Sequence, residues 1–322
     1  MEQVIPVIDL SNRDTADGRR SIAAAFDRAC SDGGFFVIIG HGVPQELIDR
    51  TYATTAALFA LSDEEKDAIA ARPGFGGLFR STTAARTRDN DTPPDLAELF
   101  GVHVKGDLPE AERAELGDEW LPARVANLWP TKPAEFRGIW NEYIDAMTAL
   151  SAELVHLMAL GLGLNEDYLD DRFANHMSSL SANYYYPQIE APLPGQLRRG
   201  AHSDFSAVTV LYQDNDIGGL QVQARTGEWL PVPAVPGSFV VNIGDVMARW
   251  TGGRWISAMH RVVNPVQGHR SSRISIPFFY QADPAAPFEP IPLLGDSAEE
   301  NEPADITVGE WISRKSRAFI TA

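Results

Sequence analysis

The sequence holds a single cysteine, Cys30, in 322 residues. This excludes an intrachain disulfide, an iron–sulfur cluster and a cysteine-rich zinc site within one chain, and it suits a reducing compartment. Positive charge is scarce. Lys and Arg number 27 against 44 Asp and Glu, for a formal net charge of −17. Phosphate backbones and anionic membrane surfaces both call for a surplus of Lys and Arg, so neither a nucleic acid nor a membrane is expected as a partner. Long apolar runs are missing as well. The uncharged stretch from Trp229 to Gly244 is too short for a membrane helix and is broken by Pro231, Pro233 and Pro236. The N-terminal MEQVIPVIDLS has no basic segment leading into an apolar one, so no signal peptide is expected and the cytoplasm is the expected location. Neither an internal repeat nor a low-complexity tract is visible.

Apolar residues make up 44% of the chain, enough to bury a sizeable core. Pro6–Leu10 reads as a short strand. Gly18–Cys30 reads as a helix, because Ile22, Ala25, Phe26 and Ala29 recur at helical spacing and Gly33-Gly34 stops it. Phe35–Ile39 reads as a buried strand of aromatic and β-branched residues. The turn Gly40-His41-Gly42-Val43-Pro44 leads into a helix through about Leu61. Ser62-Asp63-Glu64-Glu65 is a capping box that opens the next helix. Pro73–Pro94 is rich in Gly, Thr, Arg and Asp and has no period; it reads as a linker or a segment over a pocket. Ala134–Leu160 carries Phe136, Ile139, Trp140, Tyr143, Met147, Leu150, Leu154 and Leu157 at spacings of three and four, which predicts a long amphipathic helix. After about Ser178, short Val-, Ile- and aromatic-rich runs alternate with Pro, Gly, Asn and Asp turns, the pattern of a sandwich or barrel. The expected class is mainly β with α, a helical N-terminal part packed on a β-rich C-terminal part.

Seven histidines are available for chemistry: His41, His103, His156, His176, His202, His260 and His269. His156 lies beside the apolar stripe of the long helix, and His41 sits in a tight turn where a ring nitrogen can satisfy backbone groups. His103, His176 and His269 have no acidic partner in a useful register. His202-Ser203-Asp204 differs, because residues i and i+2 of an extended segment point the same way. His260 follows 58 residues later among β-type residues and could face that pair across a barrel. Two imidazoles and one carboxylate on one face of an octahedral ion leave three open positions, the facial triad of non-haem Fe(II) oxygenases. Arg273-Ile274-Ser275 adds a guanidinium and a hydroxyl on one face of a strand, a clamp for a carboxylate. Its neighbours Ile274, Ile276, Pro277, Phe278 and Phe279 are apolar, so a buried Arg273 needs an anionic partner.

The order of these motifs resembles the isopenicillin N synthase-like family of Fe(II)/2-oxoglutarate-dependent dioxygenases. The likeness spans nearly the whole chain. It is carried by Pro6-Val7-Ile8-Asp9-Leu10-Ser11, by Gly34 to Pro44, by Gly163-Leu164-Asn165-Glu166-Asp167-Tyr168 and by Asn183-Tyr184-Tyr185-Tyr186-Pro187. Gly200 to Asp204, Gly218 to Val222, Val240 to Asp245, His260-Arg261-Val262-Val263 and Arg273-Ile274-Ser275 complete it. The resemblance implies a double-stranded β-helix, or jelly-roll, core with the metal at one mouth of the barrel. It implies that His202, Asp204 and His260 bind Fe(II), and that Arg273 and Ser275 bind the far carboxylate of 2-oxoglutarate. It also implies O₂ as oxidant, with succinate and CO₂ released. The resemblance further implies that Asn183 and one tyrosine of the Asn183–Pro187 segment belong to the same co-substrate site. Counting back from Pro187 selects Tyr186, and counting forward from Asn183 selects Tyr185; Tyr186 is the first choice. Gly40 stands where the plant enzymes usually have Asn, and that position is structural. A carboxylate at 204 argues against a halogenase, which needs that position free for halide.

The expected reaction is oxidation of an unactivated C–H of a small organic metabolite, by hydroxylation, desaturation or cyclisation. Candidate substrate residues are Phe79, Arg80, Arg86, Leu99, Phe100, Tyr184, Phe205, Arg249 and Phe279, and the arginines suggest a carboxylate-bearing substrate. Arg198-Arg199 is expected to be solvated, with attraction of an acidic substrate as the other reading. Residues 1–177 are expected to form a helical and strand region contributing to the pocket, 178–298 the jelly-roll core, and 299–322 a C-terminal helical segment that caps the barrel mouth. A monomer or weak homo-oligomer is expected. The sequence leaves open an Fe(II) oxidase of the same fold that uses no 2-oxoglutarate. A non-catalytic jelly-roll binder of a small molecule is a remoter alternative. A zinc hydrolase would need a general base beside the metal, and no motif supplies one.

Overall fold

The computed structural model describes residues 5–72, 76–80, 93–117, 124–213, 218–294 and 306–320. The chain opens with β1 (Val7–Asp9), α1 (Ala16–Asp32), β2 (Phe35–Ile39), α2 (Gln45–Phe59) and α3 (Asp63–Ala68). Thr15 caps α1 by accepting from the Gly18 N–H, and Ser62 with Glu65 forms the expected capping box on α3. Gly40, before His41, has φ +64°, a left-handed conformation that suits Gly and tolerates Asn. The chain continues with β3 (Leu78–Phe79), β4 (Ala97–His103), α4 (Glu110–Glu115) and α5 (Phe136–Gly161). Then come β5 (Ser179–Tyr185), β6 (Arg199–His202), β7 (Val208–Gln213), β8 (Leu220–Gln223), β9 (Trp229–Pro231) and β10 (Phe239–Ile243). The described elements end with α6 (Asp245–Trp250), β11 (His260–Val262), β12 (Arg273–Tyr280) and α7 (Val308–Ile320).

Two sheets make the double-stranded β-helix. One has eight strands in the order β1-β2-β10-β7-β12-β5-β4-β3, and the other has four in the order β6-β11-β8-β9. The N-terminal part thus supplies helices and also extends the large sheet at both edges. Alternation along each strand sorts side chains onto two faces. Phe36, Ile38, Leu180, Ala182, Val208, Val210, Phe239, Val241, Ile274, Ile276 and Phe278 point toward the helices, into one large apolar core. Their neighbours Phe35, Val37, Tyr185 and Val240 point between the sheets, with Leu220, Val222 and Val262 of the small sheet opposite.

The helix-side core rests on α5, a 26-residue helix whose Phe136, Trp140, Tyr143, Met147, Leu150, Leu154 and Leu157 are all buried. Among the described helices it alone is long and apolar enough to cross a membrane, and it is packed inside this core. Trp140 donates its indole N–H to Thr55 Oγ1 at 3.1 Å, tying α5 to α2. Phe100 of β4 lies edge-on to both Phe136 and Trp140, at 5.4 and 5.2 Å, and is fully buried. It is therefore a core residue and does not meet substrate. Phe100→Ala is expected to cost about 3–5 kcal/mol of stability, read as a lowered urea midpoint, because the packed ring leaves a cavity.

The C-terminal α7 buries Val308, Trp311 and Ile312 in the same core. Trp311 stacks on Phe288 at 4.4 Å and meets Phe205 edge-on at 5.7 Å. The described face of this segment is thus anchored beside the residue that follows Asp204. Residues 295–305, Arg86 and most of the Pro73–Pro94 stretch lie outside the described residues.

Candidate metal centre

β6 and β11 pair with His202 opposite His260, and the register shifts between His260 and Val262. The shift turns both Arg199 and His202 toward the space between the sheets, where Asp204 joins them two residues beyond the end of β6. One ligand atom from each of His202, Asp204 and His260 lies within 4.8 Å of the others. Asp204 Oδ1 stands 3.9 Å from His202 Nε2 and 3.7 Å from His260 Nε2.

The surroundings prepare all three as ligands. His202 Nδ1 donates to the Gly200 carbonyl at 2.8 Å, and His260 Nδ1 to the Ala258 carbonyl at 3.2 Å. Both rings thereby hold the tautomer with a lone pair on Nε2, facing the shared point. Burial, the neighbouring His260 and the Arg199 charge hold the His202 imidazolium well below its usual range, so the ring is neutral. Burial pushes the Asp204 carboxyl up. His260, His202 and hydrogen bonds from Asn242 and Thr209 pull it down further, leaving it ionised. Those two bonds, 2.8 Å from Asn242 Nδ2 and 2.7 Å from Thr209 Oγ1, both end on Oδ2 and leave Oδ1 for the histidines. The backbone of Asp204 is fixed in turn, its carbonyl accepting from Asp245 N at 2.8 Å. Asn242→Ala is expected to weaken Fe(II) binding roughly tenfold in an anaerobic titration, because it frees a carboxylate that is otherwise aimed.

The triad lines a cavity of about 190 Å³ between the sheets. On its far wall β12 pairs with β5, placing Arg273 opposite Tyr185 and Ser275 opposite Asn183. All four line the cavity. Arg273 is 1% exposed; it donates to Gln213 Oε1 at 3.1 Å, and its guanidinium sits 5.1 Å from the Tyr185 ring centroid. Asn183 Nδ2 donates to Ser275 Oγ at 3.4 Å. Phe35, Leu99, Leu211, Leu220, Val262 and Phe279 make most of the remaining wall apolar. Imidazole nitrogens with a carboxylate suit Fe(II), and a buried guanidinium beside a hydroxyl suits a carboxylate. The donor sets fit both groups.

Several candidates stand elsewhere. Tyr185, not Tyr186, is in the cavity wall, because it shares the strand face of Asn183; Tyr186 packs edge-on against Tyr184 at 5.6 Å. Tyr184 faces the helices and stacks on Phe59 at 5.2 Å. Phe205 packs on α7, and Arg249 is half-buried on α6, outside the cavity lining. Arg80 is held by Asp63 and Asp67 of α3, at 3.3 and 3.0 Å, and Phe79 is exposed. Leu99 and Phe279 do line the cavity. Arg198 is buried and Arg199 half-buried, where solvated side chains are expected from the sequence. Arg198 is 1% exposed, and Arg199 reaches the cavity wall while pairing with buried Asp95 at 3.3 Å. Thr209, Gln213 and Asp95 are additions that the sequence reading misses. Alternation from Asn242 and Ser275 across the paired strands would find Thr209 and Gln213, whereas nothing local marks Asp95.

A β-helix with two histidines and a carboxylate beside a buried Arg and Ser defines a non-haem iron oxygenase of the 2-oxo-acid-using kind. The comparisons agree. Residues 177–282 match the 2OG-Fe(II) oxygenase superfamily, and residues 5–132 match the N-terminal family of non-haem dioxygenases in morphine synthesis. The chain is 32% identical over 316 residues to the 2-oxoglutarate-dependent dioxygenase tropC of Talaromyces stipitatus, covering 94% of this chain and 93% of that protein. It is 31% identical to the validamycin A dioxygenase of Streptomyces hygroscopicus subsp. limoneus, covering 98% and 87%. In structure it resembles a Neurospora crassa protein solved in complex with alpha-KG and thymine, with TM-score 0.84 and 25% identity over 98% and 97% of the two chains. The chain belongs to the 2OG-Fe(II) oxygenase superfamily. It is an Fe(II)- and 2-oxoglutarate-dependent oxidoreductase.

Proposed function

We propose that His202, Asp204 and His260 hold the iron and that Arg273, Ser275, Asn183 and Tyr185 hold 2-oxoglutarate. The observation that carries this is the placement of both donor sets on the walls of one cavity. Fe(II) held there would activate O₂, so that one oxygen atom enters the 2-oxo acid as it loses CO₂ and the other oxidises a substrate C–H. The chain's own residues do the rest. The backbone bonds at Nδ1 fix the imidazoles, Asn242 and Thr209 aim the carboxylate, and Arg273 neutralises the far carboxylate of the co-substrate. Phe35, Leu99, Leu220 and Phe279 keep water from the reacting groups.

The substrate is a small organic molecule. Arg199 is the cavity-lining cation beside the triad, so an acidic group on the substrate meets it there; Arg80 and Arg249 take no part. The lone, buried Cys30 supports a cytoplasmic location. The test is 2-oxoglutarate turnover under air with Fe(II) and a panel of small acids. Succinate formed in step with an oxidised acid supports the reading. Oxidation of an acid with no succinate would move the chain to the oxidases that use no 2-oxo acid.

A further inference from the structure

Arg198 is as deeply buried as Arg273, each 1% exposed. Both guanidinium groups flank the same ring, their carbons 6.0 and 5.1 Å from the Tyr185 centroid. Arg198 Nη2 donates to the Tyr186 carbonyl at 2.9 Å. Its Nε and Nη1 are buried and have no hydrogen-bond partner among the described residues. Nor does a described carboxylate pair with it, whereas the adjacent Arg199 has Asp95 at 3.3 Å. Burial and the charge of Arg273 push Arg198 down to about 10, which leaves it cationic at neutral pH. A guanidinium taken from water with donors unmet and no counter-ion is costly, and an apolar side chain of similar volume is the more stable choice for a fold. The uncompensated charge stands one aromatic ring away from the seat of a dianion.

We propose that Arg198 is a positioning residue for the co-substrate: its uncompensated charge, set against Tyr185 beside Arg273, strengthens binding of a 2-oxo dicarboxylate while lowering the stability of the empty protein. Arg198 does not line the cavity, so it acts through the Tyr185 ring and through its field. The inference rests on the reading of Arg273 and Ser275 as the seat of the far carboxylate. A structural arginine and a stored charge respond with opposite signs to removal, which makes the two separable.

The test is Arg198→Met, which keeps the chain length and removes the charge and the donors. Melting temperature is measured without 2-oxoglutarate, and 2-oxoglutarate affinity is measured on the anaerobic Fe(II) protein. The empty variant is expected to melt about 2–4 °C higher than the parent. Its dissociation constant for 2-oxoglutarate is expected to rise about tenfold, with Fe(II) affinity unchanged. Arg198→Lys, which keeps the charge but not the planar fork, is expected to stay within about threefold of the parent affinity. A lower melting temperature or failure to fold in Arg198→Met, an unchanged dissociation constant, or an equal loss in Arg198→Lys would each overturn the proposal. Arg273→Ala is measured alongside. If it leaves 2-oxoglutarate binding intact, the reading of the cavity itself has failed; if it weakens binding while Arg198→Met does not, only the role of Arg198 has failed.

Discussion

Replacing His260 with alanine is expected to remove turnover and Fe(II) binding while the protein stays folded. Changing a group that merely orients a ligand costs about 10–100-fold in metal affinity. Loss of a ligand itself should exceed that, so at least about 100-fold weaker Fe(II) binding is expected. The fold should survive because His260 is one residue of a three-residue strand whose backbone bonds to β6 and β8 remain. The ring also packs near Phe35, at 5.2 Å, so a small loss of stability accompanies the change. Anaerobic equilibrium dialysis with Fe(II), beside a thermal melt, separates the two effects. Parent-like iron affinity in a folded His260→Ala protein would remove this residue from the site.

Arg273→Ala should act on the other half of the cavity. The guanidinium is buried, so a carboxylate docked there without it would be a desolvated anion left unpaired. Breaking such a pair costs about 3–5 kcal/mol, of order 10³-fold in the dissociation constant of 2-oxoglutarate. Fe(II) affinity should hardly change, since the bonds that aim the three ligands are made with Gly200, Ala258, Asn242 and Thr209. Arg273→Lys should recover only part of the loss, because an ammonium cannot donate the paired bonds of the planar fork. Succinate formation against 2-oxoglutarate concentration reads this as a raised KM, and an unchanged KM in a folded Arg273→Ala protein contradicts the assignment.

The residues nearest the metal are legible in the sequence because their pattern is short and local. His202-Ser203-Asp204 and Arg273-Ile274-Ser275 need only period two to bring their chemistry to one point. The second histidine stands out because the other five have bland uses. His41 shows such a use plainly: its Nδ1 accepts from Val43 N at 3.1 Å, and its Nε2 donates to the Gly237 carbonyl at 3.2 Å. Distance from Pro187 favours Tyr186, yet the strand face decides, and Asn183 shares its face with Tyr185. The same rule separates Leu99 and Phe279, which line the cavity, from Phe100 and Tyr184, which face the helices. Charges are harder to place. Arg80 is claimed by α3, the pairing of Arg199 with Asp95 joins residues 104 apart in the chain beside the register shift at β11, and Arg198 is buried against Tyr185 and Tyr186 of the neighbouring segment. No local pattern announces either.

The most direct measurement is an anaerobic titration of the metal-free protein with Fe(II) and then 2-oxoglutarate, followed by visible absorption. The expected result is a weak charge-transfer band that needs both additions and disappears in His202→Ala and Arg273→Ala. Iron that binds without ever giving the band on addition of 2-oxoglutarate would contradict the shared cavity, and a chain that binds no Fe(II) would contradict the metal centre itself.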